Sequence, residues 1–381
     1  MFSQTDHDFM SRAIELAARG LYTTTPNPRV GCVLVNEGKI VGEGWHEQYG
    51  GPHAEVNALQ AAGTRAKGAT AYVTLEPCSH HGRTPPCVEA LIAARVACVI
   101  AAMEDPNPRV SGAGFARLRD AGIEVRCGLL YAQAYELNPG FISRMVLGRP
   151  WVRLKCAVSL DAMSALPDGT SQWITGEAAR IDGHHYRARA CAILTGYGTV
   201  RDDNPQLNIR LVQSERQPLV VIVDSRLETP LDAKVLNNSR VLVVCSALQP
   251  EKVQALHERG AEVIALANSD AKVDLSSLMT ELGRRQINEV HVEAGFKLNG
   301  SLIREACVDE LLLYQAPCLL GQASGFANLT AVPALNQRHQ LRFVGAELVG
   351  DDLRVVARFA DPDHGLAQGN GPHAVRVSTQ S

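Results

Sequence analysis

Pro52-His53-Ala54-Glu55, taken with Pro77-Cys78 and Pro86-Cys87, decides how the first half of this chain is read. One imidazole and two thiolates offer three ligands to an ion that prefers four, leaving the last position for water. A carboxylate two residues from the histidine is placed to move that water's protons. Hydrolytic deamination of a heterocycle needs this set. An amine leaves an aromatic ring only after hydroxide adds to the carbon that carries it, and zinc lowers the pKa of its water to roughly 7. Glu55 is the candidate proton shuttle, and His53, Cys78 and Cys87 are the candidate zinc ligands. Zinc deaminases carry H-x-E followed by P-C-x-x-C. Here the second half is stretched to Pro-Cys-Ser-His-His-Gly-Arg-Thr-Pro-Pro-Cys, residues 77 to 87.

Cysteine is often buried as a plain hydrophobe, so the alternative is a pair of core residues. Two features argue against it. His-Ala-Glu stands where an apolar helix begins (Val56, Leu59, Ala62), and both cysteines follow prolines after the strand-like run Ala71 to Leu75. His80 and His81 are rival ligands, at least one of which is expected to face substrate. Residues two apart on a regular helix point roughly 200° apart, so His53 and Glu55 address one metal only from the first turn of a helix.

At 381 residues the chain exceeds the size of one growing core, which predicts two domains. A net charge of −3 with scattered Lys and Arg gives no footprint for nucleic acid or an anionic membrane, so the expected substrate is small. No apolar run approaches the roughly 20 residues of a membrane helix. Ten cysteines without disulfide-scaffold density, and an N-terminus without an export pattern, predict a reducing cytoplasm. Cysteines such as Cys98, Cys191 and Cys245 lie in apolar surroundings and read as core.

A coarse pass predicts a helix from Asp8 to Arg19 with an acidic or Thr cap, a turn at Pro26-Asn27-Pro28, and strands at Val30 to Val35 and Lys39 to Gly42. The zinc-site helix follows, then strands at 71–75, 97–101 and 123–126 alternating with helices, which is an α/β layer fold. After Leu147-Gly148-Arg149-Pro150 a second α/β domain opens with a strand at Trp151 to Ala157. It continues with apolar runs at 192–194, 219–223, 241–244 and 311–314 and a helix at Lys252 to Arg259. Small and polar residues cluster where its strands end: Ser159-Leu160-Asp161, Thr195 to Thr199, Asp224-Ser225 and Glu293-Ala294-Gly295. Ligands bind at such strand ends in open α/β sheets. With no G-x-G-x-x-G, a standard Rossmann site is not supported.

Thr25-Pro26-Asn27-Pro28-Arg29-Val30-Gly31-Cys32-Val33, Pro52 to Val56, Thr74 to Cys87 and Asp105-Pro106-Asn107-Pro108 closely resemble the bifunctional riboflavin-biosynthesis deaminase/reductases. Lys155 to Asp161, Ser171-Gln172-Trp173-Ile174-Thr175 and Thr199 to Leu207 resemble that family's reductase domain, which has a dihydrofolate-reductase-like fold. The resemblance covers residues 8 to about 358. It implies a cytidine-deaminase-like zinc domain over 1–149 and a reductase domain over 150–360, while the tail over 361–381, rich in Gly, His and polar residues, departs from any packed pattern and is expected to be disordered. It also implies two successive steps of flavin synthesis on a phosphorylated pyrimidine, with Zn2+ and NADPH as cofactors.

In the first domain the resemblance implies Asn27, His46, His80, Arg83 and Thr84 near the pyrimidine and its ribose phosphate. In the second it places NADPH against Ala157, Trp173, Thr199, Asp203, Ser225 and the segment Gly295, Phe296, Lys297, Leu298, Asn299, Gly300 and Ser301. Lys155, Ser171, Arg187, Leu207, Arg210 and Glu293 would line the substrate, with Lys155 or Glu293 as proton source. Two departures stand out. The family continues Ser-Leu-Asp with Gly and a basic residue, where this chain has Ala162-Met163, and Phe296 is bulkier than the small residue or proline expected there. A nucleic-acid base deaminase, a deaminase with a degraded reductase half, and a non-enzymatic protein with closed structural zinc are the rival readings. The first needs a basic groove and the last a fourth protein ligand. Oligomeric state is left open, a homo-oligomer included.

Overall fold

The computed structural model describes residues 1–80, 85–108 and 110–360. The expectations for His81, Arg83, Thr84 and the tail 361–381 lie outside them. The chain divides into two compact units, the first ending at Leu147 and the second beginning at Gly148.

The first unit opens with α1 (Gln4–Ala18), which starts earlier than the sequence predicts. Its cap is Ser3, not an acidic residue or Thr. The Ser3 hydroxyl accepts from the Asp6 amide at 3.1 Å and the Asp6 carboxylate accepts from the Ser3 amide at 2.8 Å, a reciprocal capping box. There follow β1 (Gly31–Asn36), β2 (Lys39–Trp45), α2 (Ala54–Ala62), β3 (Thr70–Val73), α3 (Cys87–Ala93), β4 (Cys98–Ala101), α4 (Ala113–Asp120), β5 (Glu124–Cys127), α5 (Tyr131–Leu137) and α6 (Pro139–Leu147). The sheet order is β2-β1-β3-β4-β5, antiparallel around β1 and parallel from β3 onward.

Alternation along β1 sends Cys32 and Leu34 to a core shared with α2, α3 and α4, and Val33 and Val35 to one shared with α1, α5 and α6. The strand β2 runs three residues past Gly42, where the sequence reading stopped. Gly42 and Gly44 are not breakers there, because they let α2 lie directly on the sheet. A Cβ on Gly44 would sit 2.4 Å from the Ala58 amide nitrogen, and one on Gly42 would sit 2.3 Å from the Ala58 carbonyl oxygen.

The second unit contains β6 (Trp151–Ser159), β7 (Met163–Ala165), α7 (Glu177–Arg189), β8 (Ala192–Gly196), α8 (Tyr197–Asp203), β9 (Leu219–Val223), β10 (Val241–Cys245) and α9 (Pro250–Glu258). It continues with β11 (Ala261–Ala265), α10 (Leu275–Arg284), β12 (Glu289–Val292), α11 (Phe296–Arg304), β13 (Glu310–Ala316), β14 (Ser324–Gly325), β15 (Leu341–Val349) and β16 (Asp352–Phe359). Its large sheet has the order β11-β10-β9-β8-β12-β6-β13-β16-β15, parallel up to β13 and antiparallel through the last two strands. Because the strands from β6 to β13 run the same way, the ends after Gly196, Val223 and Val292 lie along one edge.

Helices α10 and α11 pack on one face of this sheet and α8 and α9 on the other. One stripe of the sheet is polar. Arg153 of β6, fully buried, pairs with Glu289 of β12 at 3.3 Å and Glu310 of β13 at 2.5 Å. A period of two carries the same face on to Lys155 and, on β12, to His291 and then Glu293 just past the strand's end. Among the described residues no helix is long and apolar enough to cross a membrane.

Candidate active sites

The first site is built where α2 begins. His53 is the N-cap residue of α2 in extended conformation, and Glu55 is buried in the first helical turn, so both reach one point as the sequence predicts. Cys78 lies in the segment after β3, and Cys87, following Pro86, opens α3. The ligand atoms of His53, Cys78 and Cys87 lie within 4.8 Å of one another. The His53 Nδ1 is 3.5 Å from the Cys78 sulfur and 3.3 Å from the Cys87 sulfur. These separations suit three corners of a zinc tetrahedron with bonds of roughly 2.0–2.3 Å. Among the described residues no fourth His, Cys, Asp or Glu joins the cluster, and His80 is exposed. One nitrogen and two soft sulfurs are a donor set that fits zinc and leaves a corner open.

Burial pushes the Glu55 carboxyl up to about 7, with the Cys78 thiolate adding to the shift and His53 opposing it. A carboxyl poised there can take and return a proton near neutral pH. The hydrogen bond from Cys87 holds the Cys78 thiol well below its ordinary range. His46 completes the wall. Its Nδ1 lies 2.9 Å from the Pro52 carbonyl oxygen and its Nε2 lies 3.2 Å from Asn27 Nδ2. The carbonyl can only accept and the amide nitrogen can only donate, so the ring is neutral with its proton on Nδ1. Burial holds it in that form by lowering its pKa.

Two carboxylates that the sequence reading did not single out support this site. Glu76, buried, accepts from the backbone amides of Asp105 (3.1 Å), Gly112 (3.0 Å), Gly114 (2.8 Å) and Phe115 (3.3 Å), tying the approach to Cys78 to the turn before α4. Asp105 sits beside it, its carboxyl raised by burial to about 6. Position gave the only signal, since Glu76 directly precedes Pro77-Cys78 and Asp105 opens the Asp-Pro-Asn-Pro turn.

The second site lies at the strand ends of the large sheet. Lys155, Arg187, Arg210 and Glu293 come together there. Arg187 of α7 grips Glu293 with two nitrogens, Nη2 at 2.9 Å, and donates Nη1 to the Asn208 carbonyl at 3.0 Å. Burial would raise the Glu293 carboxyl, but the Arg187 charge holds it well below the usual range. Ser171 and Asp203 are joined by a 3.3 Å hydrogen bond. Trp173 is 66% exposed with the Arg180 guanidinium 4.8 Å over its ring. Leu207 is buried.

Gly295 is the N-cap of α11 and no side chain caps that helix, so its first amides are available to an anion. Thr199 is near, its hydroxyl 3.7 Å from where a Cβ on Gly295 would lie, and Ser225 accepts from the Val273 amide at 3.1 Å. An uncapped helix start bordered by a hydroxyl suits the diphosphate of a dinucleotide. Within the predicted segment, Phe296 and Lys297 face outward, whereas Asn299 and Gly300 are buried. Asn299 donates to the Phe326 carbonyl at 2.8 Å, and a Cβ on Gly300 would meet the Asn328 backbone at 2.2 Å. Ala162 adopts φ +63, the left-handed region that glycine fills without strain. The sequence reading missed His184, buried three residues before Arg187 on the same helix face, and His291, fully buried with its Nε2 3.5 Å from Glu293.

Residues 3–103 match the family described as the cytidine and deoxycytidylate deaminase zinc-binding region, and residues 150–355 match the RibD C-terminal domain. The riboflavin biosynthesis protein RibD of Escherichia coli K12 is 45% identical over 358 residues, covering 91% of this chain and 98% of that one. Its Haemophilus influenzae counterpart is 47% identical over 369 residues, covering 93% and 98%. Among solved structures, Acinetobacter baumannii RibD superposes with a TM-score of 0.87 at 42% identity, over 94% of this chain and 99% of that one. A diaminohydroxyphosphoribosylaminopyrimidine deaminase/5-amino-6-(5-phosphoribosylamino)uracil reductase from Thermotoga maritima gives 0.82 at 34% identity, over 93% and 99%.

Proposed function

The chain belongs to the RibD family of bifunctional riboflavin-biosynthesis enzymes, and on that premise we propose which of its residues carry each reaction. The enzyme deaminates a diaminopyrimidine bearing a phosphoribosylamino group in a zinc-dependent step, then reduces the ribosyl group to ribityl with NADPH. Residues 1–149 form the deaminase domain and residues 150–360 the reductase domain of this proposal. The observation that carries it is the convergence of three metal-ligating side chains on a buried carboxyl.

His53, Cys78 and Cys87 hold the zinc, which supplies the Lewis acidity that makes water a nucleophile near neutral pH. Glu55 would take one proton from that water and give it to a ring nitrogen, then take the second from the added hydroxyl and give it to the amine, which leaves as ammonia while the carbonyl forms. Its burial keeps the proton-bound and proton-free forms close in energy. His46, neutral and with both ring nitrogens engaged, stands beside the pyrimidine and orients Asn27, whose uncharged amide hydrogen-bonds it. His80, Arg83 and Thr84 are assigned to the ribose phosphate, since a phosphate wants a cation and hydroxyl donors.

In the reductase domain NADPH supplies the hydride. The uncapped start of α11 with Gly295 to Ser301, together with Ala157, Trp173, Thr199, Asp203 and Ser225, is assigned to that cofactor. Ser171, Arg187, Leu207, Arg210 and Glu293 orient the phosphorylated sugar. Glu293 is held ionised by Arg187, so Lys155 is the proton source rather than Glu293.

None of the ten cysteines is joined in a disulfide, which fits work in the cytoplasm. The scattered charge supports a small-molecule substrate rather than nucleic acid. Assembly into a homo-oligomer is part of the same reading, supported by the edge strand β15 with Phe343 and Leu348 about three-quarters exposed. Light scattering on the full chain tests it.

The residue assignments are tested by a crossed pair of variants. Glu55→Gln should lower ammonia release at least about a hundredfold, the lower end for a lost general acid/base, while keeping its zinc and oxidising NADPH normally when the deaminated intermediate is supplied. Lys155→Ala should do the reverse. Near-normal turnover of both steps in either variant sinks that residue's role.

A further inference from the structure

We propose that His184 is a further substrate contact in the reduction site, its Nε2–H directed at an oxygen of the substrate's phosphate. This deepens the reading above and rests on the placement of substrate among Lys155, Arg187, Arg210 and Glu293.

His184 lies on α7 three residues before Arg187, so the two side chains share a helix face. Its ring is only 4% exposed. The ring's Nδ1 is 3.2 Å from the backbone nitrogen of Arg210. A backbone amide can only donate, so Nδ1 must carry the lone pair, and a neutral imidazole then carries its proton on Nε2. Nε2 lies 3.3 Å from Arg187 Nη1. That partner is also a donor and has no lone pair to offer. The approach of the two nitrogens is therefore not a hydrogen bond; Arg187 Nη1 has the Asn208 carbonyl at 3.0 Å as its acceptor, whereas the His184 Nε2–H meets no acceptor among the described residues. The imidazole N–H is thus left beside a guanidinium where an acceptor belongs, and leaving such a buried donor unmet is costly.

The surrounding charge selects the acceptor. Lys155, Arg187 and Arg210 all bear on His184, and Glu293 alone opposes them. A sugar hydroxyl would satisfy the N–H but not the excess positive charge, whereas a phosphate oxygen does both. Burial, and then the same cations, keep the ring from taking a second proton, so it stays a fixed-tautomer donor. The competing explanation is that His184 only anchors the Arg210 backbone through Nδ1.

Two substitutions separate the roles. Asparagine places an acceptor where Nδ1 stands and has nothing at Nε2, whereas glutamine reaches the Nε2 position with an amide N–H. In the full chain, with NADPH and the phosphorylated deaminated intermediate, His184→Asn should raise KM about tenfold with little change in kcat, and His184→Gln should bring it back to within about threefold of wild type. With the dephosphorylated intermediate, wild type and His184→Asn should share one KM. Equal KM values for the Asn and Gln variants, or the same rise on both substrates, would overturn the proposal and leave the anchoring role. An unchanged melting temperature in His184→Asn separates lost contact from lost fold. If Arg210→Ala leaves the KM of the phosphorylated substrate untouched, the placement of substrate itself is wrong. If Arg210→Ala raises it and His184→Asn does not, only the role of His184 falls.

Discussion

The two sites of this enzyme handle charge in opposite ways. Around α2 the ionisable groups are left poised: Glu55 is buried with a raised carboxyl, and His46 is kept neutral. At the strand ends of the second unit the groups are locked, with Arg187 clamped onto Glu293, and the same sheet is locked again where its strands begin, with Arg153 held by Glu289 and Glu310. The first site has protons to move at neutral pH. The second receives its reacting electrons from a cofactor, so beyond the one proton assigned to Lys155 what it owes the reaction is a fixed frame. The sites also differ in how far the chain travels to build them. His53 and Cys87 are 34 positions apart, while Arg187 and Glu293 are 106 apart.

The sharpest way to break this contrast is at the metal. Cys78→Ser or Cys87→Ser should abolish zinc binding and ammonia release together, because a hydroxyl is a far poorer ligand than a thiolate at neutral pH. NADPH-dependent reduction of supplied intermediate should be untouched. Metal analysis beside the two assays checks it, and one equivalent of zinc with full deamination in both variants would remove the poised site from the argument.

A smaller effect tests the locked frame. Arg187→Ala leaves the Glu293 carboxylate in place without its partner, at a cost toward the lower end of the roughly 3–5 kcal/mol seen for broken buried pairs, since both groups keep slight exposure. The reductase unit should melt lower by on the order of 10 °C and lose reduction, with deamination preserved. A melting curve identical to wild type would mean the clamp carries no stability.

The smallest expected effect is in acid. Burial and the nearby Arg187 and Arg210 charges lower His184 to about 4, with Lys155 acting the same way and Glu293 against it. A histidine depressed in the folded state contributes stability that is fully present above its ordinary value near 6.5. That contribution is lost as pH falls through about 4, because the unfolded chain takes up the proton first. The melting temperature of wild type should therefore fall more steeply than that of His184→Gln between pH 6.5 and 4. Parallel curves would show that His184 does not couple folding to protons.

Much of the first site was legible because its chemistry is local: a histidine at a helix start, two cysteines behind prolines, and a glutamate one helical step on. Strand ends in the second half were legible from apolar runs punctuated by small residues. What stayed hidden depends on neighbours that only the folded order supplies. Arg153 looks like an ordinary strand residue until β12 and β13 flank β6 and bring Glu289 and Glu310 to it. His184 gains meaning only when the Arg210 backbone folds against α7. Gly44 reads as a strand breaker until α2 is seen resting on it. Ala162 is a departure visible in sequence, and its positive φ shows that the backbone there keeps a glycine-like turn with an alanine in it.

Glu76 makes no contact that the reaction requires, yet four amides converge on its carboxylate. Such a group fixes one arm of the zinc site from behind, by main chain rather than by the ion. A site held this way is nearly assembled before metal arrives, so little conformational freedom remains to be surrendered on loading. Replacing this single acidic residue would leave every ligand in the chain and still make the empty site an ensemble, slower to load and less selective among ions of similar size.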